Sequence, residues 1–151
     1  MLMSRRAGLA FVVGISCAVL SAPVLATPPV SAPGGYAIGG FDVVAYYTKK
    51  AAVRGKPEFK YVWHDATWLF ESAENRDKFA ANADAYAPQY GGHCAWKMIG
   101  GGKFPADPKV WSIRDGKLYL FGNQSVNKKF NDDGDTYIAK ANSQWQSLYA
   151  R

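Results

Sequence analysis

Apolar positions along this chain fall into runs of different length, and the longest comes first. Residues 7–20 are almost wholly apolar and carry no charge. A short basic opening with Arg5 and Arg6 precedes them, and Val24 and Ala26 follow at the positions a signal peptidase reads. Basic, apolar and small-residue regions in that order predict a cleavable export signal over residues 1–26. The apolar run falls short of the roughly 20 residues that a membrane-spanning helix needs. No membrane attachment is therefore expected after cleavage, and the mature protein is expected to be periplasmic or secreted. Ser4-Arg5-Arg6 hints at twin-arginine export, but Gly8 stands where that signal wants a large apolar residue, so the export route stays open. Cys17 follows Gly14-Ile15-Ser16, a poor lipoprotein signature, and is expected to leave with the signal.

Past residue 26 the pattern shortens. Residues 27–35 are rich in Pro, Ala and Gly and are expected to form a flexible lead-in. A glycine turn at Gly39-Gly40 opens a short apolar segment of strand or single-turn-helix character that ends near Tyr47. Residues 59–63 and 67–70 alternate around His64-Asp65-Ala66, which predicts a hairpin. Ser72 suits a helix N-cap, with Glu74 in the first turn and Phe79 seven residues on. The second half repeats this grammar. Residues 110–114 and 117–121 alternate around the hairpin turn Asp115-Gly116. A helix from about 125 to 130 follows. A longer one from about 135 to 148 carries Tyr137, Ile138, Ala141, Trp145 and Leu148 at helical spacing. The prediction is an α+β fold in a single domain over residues 36–151. Two hairpins make a small antiparallel sheet, each is followed by a helix, and a C-terminal helix packs on the sheet.

The halves also superpose as sequence at a shift of 51 residues. Leu69-Phe70 then falls on Leu120-Phe121, Lys78-Phe79 on Lys129-Phe130, Asp84 on Asp135 and Tyr86 on Tyr137. Two related hairpin-plus-helix units explain this; so does a chance likeness of aromatic-rich motifs, and both readings stay open.

Charge and cysteine content narrow the function classes. The chain of 151 residues has a net charge of +6; without Arg5 and Arg6 the mature part keeps 16 basic and 12 acidic residues, a net +4. These charges are spread out. The densest basic pair, Lys128-Lys129, is followed at once by Asp132, Asp133 and Asp135. Nucleic-acid binding needs a clustered basic face, so no nucleic-acid partner is expected. Cys94 is the one cysteine of the mature part, which excludes an intramolecular disulfide. Stability must then come from packing, and aromatic residues make up 15% of the chain. A lone thiol in an oxidising compartment is buried or used; the expected state is a monomer or a weak, Cys94-linked dimer.

Three stretches carry a family resemblance: residues 38–46 (Gly39-Gly40-Phe41-Asp42), residues 68–79 (Trp68-Leu69-Phe70-Glu71-Ser72), and residues 86–95 (Tyr86-Ala87-Pro88 to Gly91-Gly92-His93-Cys94). Together they resemble the exported YHS-domain proteins, and the likeness runs from about Gly39 to Trp145. It implies a small α+β domain, associated in that family with metal binding and at times with copper handling. The metal-associated modules carry Phe-Cys-Ser-x-x-Cys at a helix start. Here Glu71 and Asn75 replace both thiols, so that thiolate site does not transfer.

What remains for metal chemistry is His93, Cys94 and Met98 within six residues, with His64 the other histidine. Imidazole, thiolate and thioether suit Cu(I), and zinc less well. Glu71 and Asp42 are possible oxygen donors. The leading expectation is a soft-metal site, most plausibly copper, at Cys94 with His93 and with Met98 or His64. Its role would be sequestration, delivery or sensing, in exchange with a metal donor or acceptor protein. A protein without any metal is an open alternative. In it, some of Tyr36, Tyr46, Tyr47, Trp63, Trp96 and Trp111 line a groove for a small ligand or a partner. A thiol enzyme using Cys94 is the third reading. The sequence has no Gly-x-Ser-x-Gly, His-Glu-x-x-His or phosphate-loop motif, and no catalytic constellation is legible.

Overall fold

The hairpins form where two-residue turns meet alternating segments. His64 and Asp65 both take positive φ (50° and 55°), as do Asp115 and Gly116 (50° and 73°). Such turns match the twist of the flanking strands. In the computed structural model, which describes residues 27–149, β1 (Lys56–Trp63) pairs antiparallel with β2 (Ala66–Phe70). β3 (Asp107–Arg114) pairs in the same way with β4 (Lys117–Phe121). The export signal expected over residues 1–26 lies outside the described residues.

Six α-helical segments complete the order: α1 (Val43–Thr48), α2 (Ala73–Ala81) and α3 (Ala83–Tyr86) in the first half, and α4 (Ala95–Met98), α5 (Gln124–Asp132) and α6 (Gly134–Tyr149) in the second. Ser72 caps α2 by accepting from the Asn75 N–H, as its sequence position predicts. Asn123 does the same for α5 with the Val126 N–H. The fold is α+β, as the pattern predicts. The hairpins do not join into one sheet; each keeps its own two strands. The C-terminal helix packs on α4 and α5 and buries Ala141 beside Tyr119 and Phe121 of β4.

The two halves repeat element for element. β1, β2, α2 and the start of α3 recur 51 residues later as β3, β4, α5 and the start of α6. Strand register repeats with them: Lys60 opposes Leu69 as Trp111 opposes Leu120, and both hairpins break register at the same place. The single turns before α1 and α4 recur at 52 residues instead, Ala37–Gly40 against Gln89–Gly92. The second half is one residue shorter between that turn and its first strand.

β4 joins the halves. Leu118 and Leu120 face one apolar cluster with Val44, Tyr46, Trp68, Phe70 and Phe79, while Tyr119 and Phe121 face a second with Met98, Phe130 and Ala141. This strand is therefore buried on both faces rather than on one.

The lead-in expected to be flexible is tied to the domain. Ser31 is buried, donates its N–H to the Gly91 carbonyl at 2.8 Å and accepts from the Ile38 N–H at 2.7 Å. Gly91, at φ +60°, has no room for a side chain, because a Cβ there would collide with the Pro29 carbonyl oxygen.

Candidate functional site

The Gly-Gly-His-Cys element has a structural twin. Gly39-Gly40-Phe41-Asp42 occupies the matching place in the first half, so Cys94 corresponds to Asp42 and His93 to Phe41. The match extends to the backbone: the Asp42 N–H donates to the Val53 carbonyl and the Cys94 N–H to the Phe104 carbonyl, each at 2.8 Å. Phe41 bridges to Arg54 as His93 bridges to Pro105.

Asp42 is fully buried and works as a clamp. Its Oδ1 accepts from the first amides of α1, Val44 at 2.8 Å and Ala45 at 3.3 Å. Its Oδ2 accepts from the Glu71 N–H at 2.9 Å and from Asn75 Nδ2 at 2.7 Å. One carboxylate thus ties α1 to the β2–α2 junction. Cys94 makes the reduced version of this clamp, its Sγ accepting from the Gly122 N–H at 3.3 Å. Gly122 corresponds to Glu71.

The four expected metal ligands lie in different surroundings. Cys94 is 3% exposed, and its thiol engages Gly122. The His93 ring turns to the Tyr90 carbonyl, with Nδ1 at 2.8 Å, and lies 6.2 Å from the Trp145 ring. Met98 is fully buried in the second apolar cluster. His64 sits exposed at the first hairpin turn, stacked flat on Trp63 at 3.6 Å. Glu71 pairs with Lys49 at 2.7 Å on the surface. Among the described residues, no three His, Cys, Asp or Glu side chains are grouped so as to hold a metal ion. A closed zinc site, which takes four protein donors, does not fit these positions. Burial of Cys94 also means that a Cys94-linked dimer requires this region to open.

Burial is the main force on His93, and it lowers the imidazole pKa below its ordinary value near 6.5; Lys103 adds to this, while the bond to the Tyr90 carbonyl opposes it. Nδ1 therefore carries the proton and donates to that carbonyl, leaving Nε2 with its lone pair. As pH falls, the unfolded chain takes up a proton at this residue before the folded one does. The stability His93 contributes is held above about pH 6.5 and lost below it. Denaturant midpoints measured from about pH 7 to about pH 5 are expected to fall more in the wild type than in His93→Phe, which copies Phe41. Parallel curves would overturn this account of His93.

A cleft lies elsewhere, where the lead-in, the first hairpin and α6 converge. It encloses about 180 Å³. Trp63, Tyr90 and Trp145 supply aromatic wall, Pro28 closes the lead-in side, and His64 and Asp84 add polar edge. The Tyr90 hydroxyl donates to Asn142 Oδ1 at 2.9 Å, and burial raises its pKa, so it stays neutral. Of the aromatic residues expected to line a groove, Trp63 alone lines this cleft. Tyr46 is core, donating to the Pro108 carbonyl at 2.7 Å and meeting Trp111 edge-on at 5.2 Å. Tyr47 packs edge-on against Tyr86 at 5.6 Å. Trp96 lines a second hollow beside Tyr137. Tyr90 and Trp145 stand 55 positions apart in sequence, and only tertiary packing brings them together. No protein-family model matches the chain, and neither a curated protein nor a solved structure is detectably similar to it.

Proposed function

We propose that this protein is an exported, non-catalytic binding domain of YHS type, and that it takes a small ligand in the cleft between its two halves. The cleft carries this reading, because it gathers four tryptophan and tyrosine rings and the polar side chains of His64, Asp84 and Gln89 from segments far apart in sequence. Aromatic walls with a few placed polar groups are common features of small-molecule sites. Its volume limits the occupant to a small molecule or to one group of a larger one. No imidazole reaches the Cys94 thiol by hydrogen bond among the described residues, so thiol catalysis has no base in place.

A soft metal is the second reading, and one observation favours it. The Nδ1–H bond of His93 to a backbone carbonyl is the arrangement that orients metal-bound histidines. Cys94 beside it would be the thiolate donor for Cu(I), with exchange to a partner protein.

One set of titrations separates the two. Small organic compounds are expected to move the indole N–H resonances of Trp63 and Trp145 and leave that of Trp96 in place. A screen in which only Trp96 responds would overturn the cleft reading. Cu(I) added to wild type and to Cys94→Ala tests the metal; tight binding that is lost with the thiol would restore it as the primary function.

A further inference from the structure

The mature chain is net positive, yet Asp84 is the one Asp, Glu, Lys or Arg among the cleft-lining residues. Asp84 lies in the first turn of α3 and is exposed. Its carboxylate forms no ion pair or hydrogen bond among the described residues. Several other surface acids are paired: Glu74 with Lys78 at 2.6 Å, Asp132 with Lys128 at 3.0 Å, and Asp135 with Arg114 at 2.8 Å. Asp135 is the repeat counterpart of Asp84. The same position is thus neutralised by a cation in the second half and left open in the first.

Beside this free carboxylate stand aromatic rings with negative faces. The His64 ring lies flat on Trp63 and covers one face of the indole, and Tyr90 and Trp145 add two more rings to the lining with their centres 6.0 Å apart. Indole gives the strongest cation–π attraction of the aromatic side chains, and the attraction grows when the cation loses water. A small alkylammonium group meets both demands of the site. Its alkyl surface replaces water against the rings, and its charge balances Asp84. A neutral apolar group would gain nothing from the carboxylate, and an anion would be repelled by it.

We infer, resting on the cleft reading above, that the ligand presents a small organic ammonium group, held between Trp63 and Trp145 with Asp84 as its counter-charge. The test uses the mature protein with choline, tetramethylammonium and the uncharged choline isostere 3,3-dimethylbutan-1-ol, followed through the indole resonances of Trp63 and Trp145. Both cations are expected to bind at least about tenfold more tightly than the alcohol. Asp84→Asn is expected to weaken the cations about fivefold or more and to leave the alcohol unchanged. Asp84 is exposed, so this variant keeps its fold, and an unchanged thermal melt checks that. Equal binding of cations and alcohol would overturn the ammonium inference while leaving the cleft as a small-ligand site. Failure of all three probes, with other compounds binding at the cleft, would overturn the inference alone. Failure of every compound there would overturn the cleft reading as well.

Discussion

Asp42→Ala is expected to destabilise the folded protein by on the order of 4 kcal/mol, measured by denaturant unfolding. The substitution removes an acceptor that serves four donors at once: Val44 N, Ala45 N, Glu71 N and Asn75 Nδ2. Hydrogen bonds to a charged acceptor contribute about 1.5–3 kcal/mol each, and donors left buried without a partner add a penalty. These bonds share one carboxylate and do not sum freely, which keeps the expected loss below four separate bonds. Cys94→Ala is the internal control. It removes one hydrogen bond to sulfur, a weak acceptor, and a small buried volume, so a loss of about 1–2 kcal/mol is expected. Equal losses at the two positions would show that Asp42 is no stronger a clamp than Cys94. Should Cys94 prove the costlier, a role beyond clamping would have to be sought for the thiol.

Phe79→Ala and Phe130→Ala are each expected to cost about 3–5 kcal/mol, the range for truncating a buried phenylalanine. Both rings are fully buried. Phe79 meets Trp68 at 5.1 Å, Phe70 at 5.2 Å and Trp63 at 5.6 Å, centre to centre. Phe130 meets Phe121 at 5.1 Å and Tyr119 at 5.6 Å. The two substitutions differ in reach. Phe79 supports Trp63, so its loss is expected to weaken ligand binding in the cleft as well as stability. Phe130 lies in the cluster that holds Tyr90 and Trp145, but it reaches Tyr90 only through Tyr119, so its loss is expected to weaken cleft binding less than the loss of Phe79. A ligand titration at a denaturant-free baseline reads this difference. Binding impaired equally by both would mean that the direct Phe79–Trp63 contact is not what holds the cleft wall in place.

Local chemistry made the elements legible. Asp115-Gly116 fixes one hairpin, Ser72 fixes the start of α2, and the spacing of Tyr137, Ile138, Ala141 and Trp145 marks α6. These signals act within a few residues, so one sequence displays them. The two-faced burial of β4 was less legible. Leu118, Tyr119, Leu120 and Phe121 read as a strand, and only the packing of both halves decides that neither face meets water. The candidate site was the least legible part. Gly-Gly-His-Cys stands out for its ligand types, while its counterpart Gly-Gly-Phe-Asp holds the matching backbone place and acts there as a clamp. A gapless shift of 51 residues hides that pairing, because the one-residue difference moves it to 52. Asp42 therefore looked like a spare oxygen donor. Helical spacing puts Trp145 on the apolar face of α6 but does not say which residues oppose it.

β4 also bears on how the molecule comes apart. Each of its faces is covered by a different half, so neither half on its own can bury the strand's four apolar side chains. A fragment ending before residue 107 would leave Val44, Tyr46 and Trp68 without Leu118 and Leu120. A fragment beginning there would leave those two leucines bare. The duplication seen in the sequence therefore does not yield two independent folding units. The halves are expected to melt in one cooperative transition, and a growing chain to gain its stability only after β4 has been added.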